Sequence, residues 1–314
     1  MLRLIITRVA LAVPQLLILS FLVFCLTYMV PGSPAAAILG ASATPDSIAA
    51  LEARLGLDRP FFERLGDWYV AAFQGDFGQS FTSGRPVTDM LGERLPATVS
   101  LMVGGTIIAL ILGVALGIIG GTKPGSIRDR ISTAIASISM SMPEFWLGII
   151  LVLIFAVQLG WLPVIAWVPP SHDIGLWLKG IILPSLALGT TGAALIARQT
   201  RTAMAQNMSA RYIDSLTAAG VPRRRLIFKY GFKNSLVPVL SSTGITISIM
   251  LGASFAIEKV FSIPGVGSVL IRSVTGKDFS VVQGGVLLIA TIIIAVNLIL
   301  DIAYGIINPK ARPE

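Results

Sequence analysis

This chain has one cysteine and one histidine in 314 residues, and each scarcity excludes chemistry. With Cys25 alone, no internal disulfide framework can form. His172 stands in a proline-rich stretch with no cysteine or second histidine beside it, so a zinc site built from nitrogen and sulfur ligands is not expected. Charge is scarce too. Only 13% of residues are Asp, Glu, Lys or Arg, about half the share usual in soluble domains. No GxxxxGK[ST] loop occurs, so the chain lacks an ATP cradle of its own. HExxH and GxSxG are also missing. Gly265-Val266-Gly267 is a fragment of a glycine loop without the third, helix-opening glycine. The expectation is a non-enzyme with no catalytic residue, bound cofactor or metal.

What the chain has instead is grease. Hydrophobic residues make up 54% of it, and the mean hydropathy is +0.82. Six apolar runs lie at about 9–30, 97–121, 132–157, 181–200, 236–257 and 283–305. Each is near the roughly 20 residues that cross a hydrocarbon core as a helix. These runs predict an all-α membrane protein with six transmembrane helices. The first run follows Arg3 and Arg8, and Ala41-Ser42-Ala43 faintly resembles a cleavage site. The run is longer than the roughly 7–15 residues of a signal-peptide core, so a retained helix is expected.

The net charge of +8 suits nucleic acid at first sight. Loops that obey the positive-inside rule give the same balance, so the expected surface is a lipid bilayer and no nucleic acid. The N-terminus, the 122–131 loop, the 198–235 loop and the C-terminus together hold 15 of the 24 Lys and Arg residues. The other side holds nine, five of them in the 31–96 segment beside eight acids. Both termini and the 198–235 loop are therefore expected in the cytoplasm. The 31–96 segment is then external. Thr44-Pro45 reads as an N-cap followed by proline at the first helical position. A second helix is expected over Pro60–Phe73, with Phe62, Leu65 and Tyr69 on one stripe. The organisation expected is 1–30 for the N-terminus and first helix, 31–96 for a small external helical cap, 97–305 for helices 2–6, and 306–314 for a tail.

Inside the membrane, Gly113, Gly117 and Gly121 recur at four-residue spacing, a signal for close helix contact. Pro143 falls near the middle of span 3, and Pro184, Gly189 and Gly192 interrupt span 4. Lining a pathway and a tolerated kink both account for such breaks. Glu144 sits beside Pro143, far from either end of its span; a charge at that depth costs about 2.5–3.5 kcal/mol and faces the bundle interior or water. Its functional reading is a polar point on a translocation route. Its structural reading is a protonated or hydrogen-bonded glutamate. Asp301 suits an anchoring role, and Asn297 suits helix–helix contact.

A basic, polar interruption runs over Arg198–Asn234, between two apolar runs. Tyr212–Ala219 can form a short helix with Tyr212, Leu216 and Ala219 on one face. Gly220 stops it, and Pro222 opens the next helix. A helix–glycine–helix elbow lets a partner protein come close. Arg223, Arg224, Arg225 and Lys229 can meet an acidic rim or lipid headgroups.

These residues resemble a known family. Asp214-x5-Gly220 is similar to the cytoplasmic "EAA" loop of bacterial ABC-importer permeases, with Asp214 where that family has glutamate. Tyr212, Gly220, Asn234 and Pro238 match the Tyr-x-x-x-Ala-x-x-x-Gly…Asn-x-x-x-Pro pattern of the peptide/nickel branch, with Leu216 in place of the alanine. Arg8 and Pro14 sit in a typical first span. Pro31-Gly32-Ser33-Pro34 resembles the branch's PGDP. Leu55-Gly56-Leu57-Asp58-Arg59-Pro60, Gly75-Asp76-Phe77-Gly78-Gln79-Ser80 and Glu93-Arg94-Leu95-Pro96-Ala97-Thr98 resemble its external and span-opening motifs. Glu258-x-x-Phe261-x-x-Pro264-Gly265-x-Gly267 and Asn308-Pro309-Lys310 complete a resemblance that runs almost end to end. By it the chain looks like the B-type permease of a dipeptide or oligopeptide importer.

The resemblance implies a homologous second permease, two cytoplasmic ATPase subunits that bind ATP and Mg, and an external solute-binding protein, all at the bacterial cytoplasmic (inner) membrane. The coupling helix maps onto Tyr212–Gly220, with Tyr212, Asp214, Leu216, Ala219, Gly220 and Arg223 toward the ATPase. Pro143, Glu144 and Glu258 are candidates for the translocation path. Two departures stand out: Ser215-Leu216-Thr217-Ala218 replaces the commoner Thr-Ala-Arg-Ala, and Glu144 falls where a small polar residue is usual. Dipeptides, oligopeptides, glutathione, nickel complexes and oligosaccharides are all cargoes of this branch. The alternative is a secondary transporter driven by an ion gradient, with Glu144 as its proton site.

Overall fold

The computed structural model describes residues 2–30, 32–164 and 167–307. Pro31, Asn308-Pro309-Lys310 and the basic tail residue Arg312 lie outside the described residues. Among the described residues the chain is helical, with one isolated bridge between Gln79 and Pro86. The helices are α1 (Leu2–Met29), α2 (Pro34–Leu39), α3 (Pro45–Arg54), α4 (Phe61–Phe73), α5 (Val87–Gly121), α6 (Ile127–Ser141), α7 (Glu144–Leu151), α8 (Ile174–Met208), α9 (Arg211–Ala218), α10 (Arg223–Arg225), α11 (Lys233–Val260), α12 (Val266–Thr275) and α13 (Phe279–Ile307). Five described helical stretches are long and apolar enough to cross a bilayer: Ile5–Met29, Val87–Gly121, Ile174–Met208, Arg223–Val260 and Phe279–Ile306. Counting the bent pair Ile127–Ser141 and Glu144–Gln158 as one span makes six.

The chain divides into two compact units. Of the described residues, one unit comprises 97–263 and 296–307. Its core helix is α8, which packs against α6, α7 and α11. In α8, 72% of the apolar window is buried, against 6–33% for the other single-helix spans, so α8 alone is wrapped mostly by protein. Glycines set its distance from α5. A Cβ on Gly113 would lie 2.8 Å from the Ala193 carbonyl oxygen, and one on Gly117 would stand 2.9 Å from that of Ala197 and overlap Thr200. A Cβ on Gly121 would lie 2.7 Å from the Arg201 carbonyl and overlap Met204. The four-residue glycine spacing thus builds one seam along α8.

Two expectations need correction here. Pro184, Gly189 and Gly192 do not interrupt span 4, because α8 is one continuous helix through them. Gly189 instead admits the Gly105 carbonyl, 2.6 Å from where a Cβ would stand, and Gly192 admits Met250 and Thr246. Neighbouring helices, and not a break, use these small residues. Span 3, in contrast, is interrupted more sharply than a kink. Met142 and Pro143 are extended, and α6 and α7 meet at 99°. Proline disfavours helical backbone in the residue before it and has no N–H to continue the ladder. Glu144 therefore opens α7 and does not sit mid-helix. Beyond α7, residues Val152–Gln158 widen into a π-helical turn.

The other unit comprises residues 2–96 and 264–295. Thr44 caps α3 in a reciprocal box with Ser47, as its Thr-Pro start predicts. On α4 the inward stripe runs through Phe61 and Leu65. Phe61 packs edge-on against Phe24 and Tyr28 of α1, whereas Phe62 is exposed. The Tyr69 hydroxyl donates to the Leu17 carbonyl at 2.9 Å. Asp278, 1% exposed, accepts from the Ser80 hydroxyl, the Phe81 and Thr82 backbone N–H groups and the Thr82 hydroxyl at 2.5–3.3 Å. Four donors satisfy a carboxylate that burial would otherwise penalise. Gln283 on α13 donates to Thr27 on α1 at 3.0 Å.

Candidate functional site

The elbow between α8 and α11 assembles from local rules. α8 stops at Met208, and Ala210 is extended, so the chain turns before α9. α9 ends in a Schellman cap. The Val221 N–H donates to the Leu216 carbonyl and the Gly220 N–H to the Thr217 carbonyl, both at 3.0 Å. Gly220 supplies the required positive φ of 75°. Pro222 is extended and caps the next helix, which runs from Arg223 through a π-helical stretch at Leu226–Phe232 into α11.

The elbow is fixed at its base. Ile213, 4% exposed, is the inward anchor of α9, and Leu226 is the matching buried residue of the second arm. Tyr212 is partly exposed, and its hydroxyl accepts from Asn234 Nδ2 at 3.2 Å. The tyrosine and asparagine of the sequence pattern, 22 residues apart, are thus brought together. Asn207 on α8 donates to the Ser235 hydroxyl at 2.9 Å, and Ser235 donates to the Gly231 carbonyl. Gly231 leaves room for Met208, whose sulfur lies 2.9 Å from the position of a Cβ. A ligature of small and polar residues therefore fastens the arms where they leave the core.

The outer surface carries the remaining candidates. Asp214, Ala219, Gly220 and Arg223 are exposed and Leu216 is half-buried. Arg211, Arg224, Arg225 and Lys229 add exposed positive charge. While Tyr212 and Ala219 of the expected face stay exposed, the inward contact of α9 is made by Ile213. Its sequence signal is its i, i+3 spacing to Leu216, which the short length of α9 makes easy to overlook. Nearby, the Arg201 guanidinium on α8 makes a two-point contact with Asp129 in the first turn of α6, at 2.5 and 2.7 Å. Asp129 also accepts from the Gly125 N–H at 2.8 Å. This clamp joins residues 72 apart, and no local pattern announced it.

The translocation candidates are placed differently from one another. Pro143 is exposed and Glu144 half-buried at the start of α7. Gly148 of α7 packs against Ile257 and Phe261 at the end of α11. Glu258 belongs to that same turn of α11, yet it is wholly buried and accepts from the Thr98 hydroxyl of α5 at 2.7 Å. Asn297 lies against Gly244 of α11, as expected of a helix-contact residue. Among the described residues no group of three metal-ligating side chains converges.

Comparisons with known proteins agree along the whole chain. Residues 111–313 match the family described as "Binding-protein-dependent transport system inner membrane component". Residues 1–102 match its N-terminal companion. The glutathione transport system permease protein GsiC of Escherichia coli (strain K12) is 38% identical over 312 residues, 99% of each chain. The dipeptide transport system permease protein DppB of Alkalihalophilus pseudofirmus is 35% identical over 325 residues, 97% of this chain and 98% of that protein. Among solved structures, an inward-facing form of the MetNI methionine ABC transporter superposes with a TM-score of 0.57 at 19% identity, over 70% of this chain and 96% of that one. That likeness concerns the fold.

Proposed function

We propose, because this chain belongs to the family of binding-protein-dependent transport system inner membrane components, that it is the permease subunit of an ATP-driven ABC importer for peptides or related small solutes. Its relatives are named as transport permeases for dipeptide and for glutathione. In this reading the bent pair α6–α7 forms one span, giving six, with both termini in the cytoplasm and the helical 31–96 segment outside. A homologous second permease completes the pathway. Two ATPase subunits bind ATP and Mg and seat the Tyr212–Gly220 elbow. An external solute-binding protein delivers cargo. No side chain of this chain does covalent chemistry.

The observation that carries the proposal is the elbow itself. It is pinned from beneath by Ile213, Leu226 and the Tyr212–Asn234 bond, while Asp214, Ala219, Gly220 and Arg223 stay exposed. A rigid knuckle with a free outer face suits a handle that a soluble motor grips. ATP binding draws the two ATPases together, each carries its elbow, and the bundle moves from inward- to outward-facing. Hydrolysis resets it. Pro143 and Glu144 are assigned to the route, where the break between α6 and α7 exposes backbone that needs a polar surrounding. Glu258, held by Thr98, braces the wall behind it.

The decisive experiment places a cysteine at Ala219, with Cys25 replaced by alanine, in the assembled transporter. The expected result is cross-linking to an ATPase subunit and labelling only from the cytoplasmic side. Labelling from outside, or uptake that survives ATP depletion but collapses with an uncoupler, favours the ion-gradient transporter with Glu144 as its proton site.

A further inference from the structure

Far in sequence from the elbow, the start of α5, α12 and the turn before α13 line a cleft of about 280 Å³. Its charges are unevenly satisfied. Glu93 is taken by Arg85, at 2.5 Å. Asp278 is taken by the four donors of the 80–82 turn. Two guanidiniums remain on the same walls. Arg94 is half-buried and has no hydrogen-bonding or acidic partner among the described residues. Arg272 is exposed and commits only its Nε, to the Ser268 carbonyl of its own helix at 3.3 Å. Both acids of the cleft are therefore engaged within the fold, and two cationic donors, Arg94 and Arg272, are left on its walls.

We propose that this cleft is a binding site for an oxyanion of the phosphate class, held between Arg94 and Arg272. A guanidinium presents paired N–H groups that match two oxygens of a tetrahedral anion. Asp278 keeps its charge, but its oxygens are turned onto the 80–82 turn, and with Arg85, Arg94 and Arg272 against Glu93 and Asp278 the lining stays net positive. The volume lies just under the range of roughly 300–1,000 Å³ common for small-molecule pockets, which suits a phosphate or a headgroup better than a whole cargo molecule. The anion comes either free from solution or as the headgroup of an acidic phospholipid. The inference stands apart from the transport reading, since it needs only the cleft.

The test uses the full-length chain purified in detergent. Thermal unfolding is followed in inorganic phosphate and in chloride at equal ionic strength, and again with added phosphatidylglycerol against phosphatidylcholine. Wild type and an Arg54→Gln control should unfold at a higher midpoint with phosphate or with phosphatidylglycerol. Arg94→Gln and Arg272→Gln should each weaken the apparent affinity about tenfold or more. A response to free phosphate assigns the soluble source, and a response to phosphatidylglycerol alone assigns the lipid. Arg272 is exposed, so its variant keeps the fold and decides the matter even if Arg94→Gln does not. The proposal is overturned if neither anion shifts wild type beyond its control, or if Arg272→Gln responds undiminished.

Discussion

The Gly220 position separates a backbone requirement from a contact requirement. Its φ of 75° lies in the left-handed region, and nothing stands within 4 Å of where its Cβ would be. Within the chain, a side chain there meets no clash, so the penalty comes from the backbone alone. A non-glycine L-residue in this conformation costs about 1–2 kcal/mol, which lowers the population of the capped elbow by about 5–30-fold relative to alternatives. Asparagine enters the left-handed region more easily than other residues, and a β-branched residue does so least readily. In proteoliposomes holding the complete transporter, cargo-linked ATPase activity is therefore expected to fall in the order glycine, asparagine, alanine, valine. Gly220→Val should lose about tenfold while detergent unfolding of the isolated chain barely changes, because Val221 and Leu216 sit at the rim of the fold. Equal activity in Gly220→Val and wild type refutes the backbone argument. Activity lost equally in Gly220→Asn and Gly220→Val also refutes it, and assigns the glycine to a partner contact instead.

Along the α5–α8 seam, Gly117→Val should destabilise the chain by about 1–3 kcal/mol through overpacking against Thr200 and Ala197, whereas Gly252→Ala, with open space around it, should be neutral or stabilise by up to about 1 kcal/mol; SDS-driven unfolding distinguishes the two. Asp129→Asn should cost about 1–3 kcal/mol, below the range for fully buried pairs because Arg201 still reaches water. Adding Arg201→Met to it should recover part of the loss in the same assay, and strict additivity would show that the clamp carries no coupling. Glu144→Gln should change transport rates selectively among cargoes of different charge while leaving stability unaltered, and unchanged uptake of every cargo removes Glu144 from the route.

The apolar runs, the glycine seam and the elbow were all readable from the sequence, since each rests on neighbours within one or two helical turns. Helix-breaking at Pro143 was readable for the same reason, but not the 99° turn, which depends on where α6 and α7 each find a partner. Pro184 shows the opposite error: its local rule predicts an interruption, yet the packed surroundings of α8 keep that helix whole. On α4 the expected stripe holds at Leu65 and Tyr69 and misses at Phe62, because Phe61 and Phe62 are chemically alike and only the location of Phe24 and Tyr28 selects between them. Asp129 with Arg201, and Asp278 with the 80–82 turn, pair across 72 and about 200 residues. Neither separation leaves a periodic trace. Glu258 was a path candidate by resemblance alone, and the structure shows it wholly buried. Its partner Thr98 lies 160 residues away in the chain, beyond the reach of any local pattern.

The arms that meet at the elbow, α8 and α11, are packed against each other along their length. If a partner moves the knuckle, as the coupling proposal requires, that packing ties the displacement of one arm to the other. The motion would then reach the most deeply enclosed helix of its unit, whose glycine seam with α5 leaves little free space to absorb it.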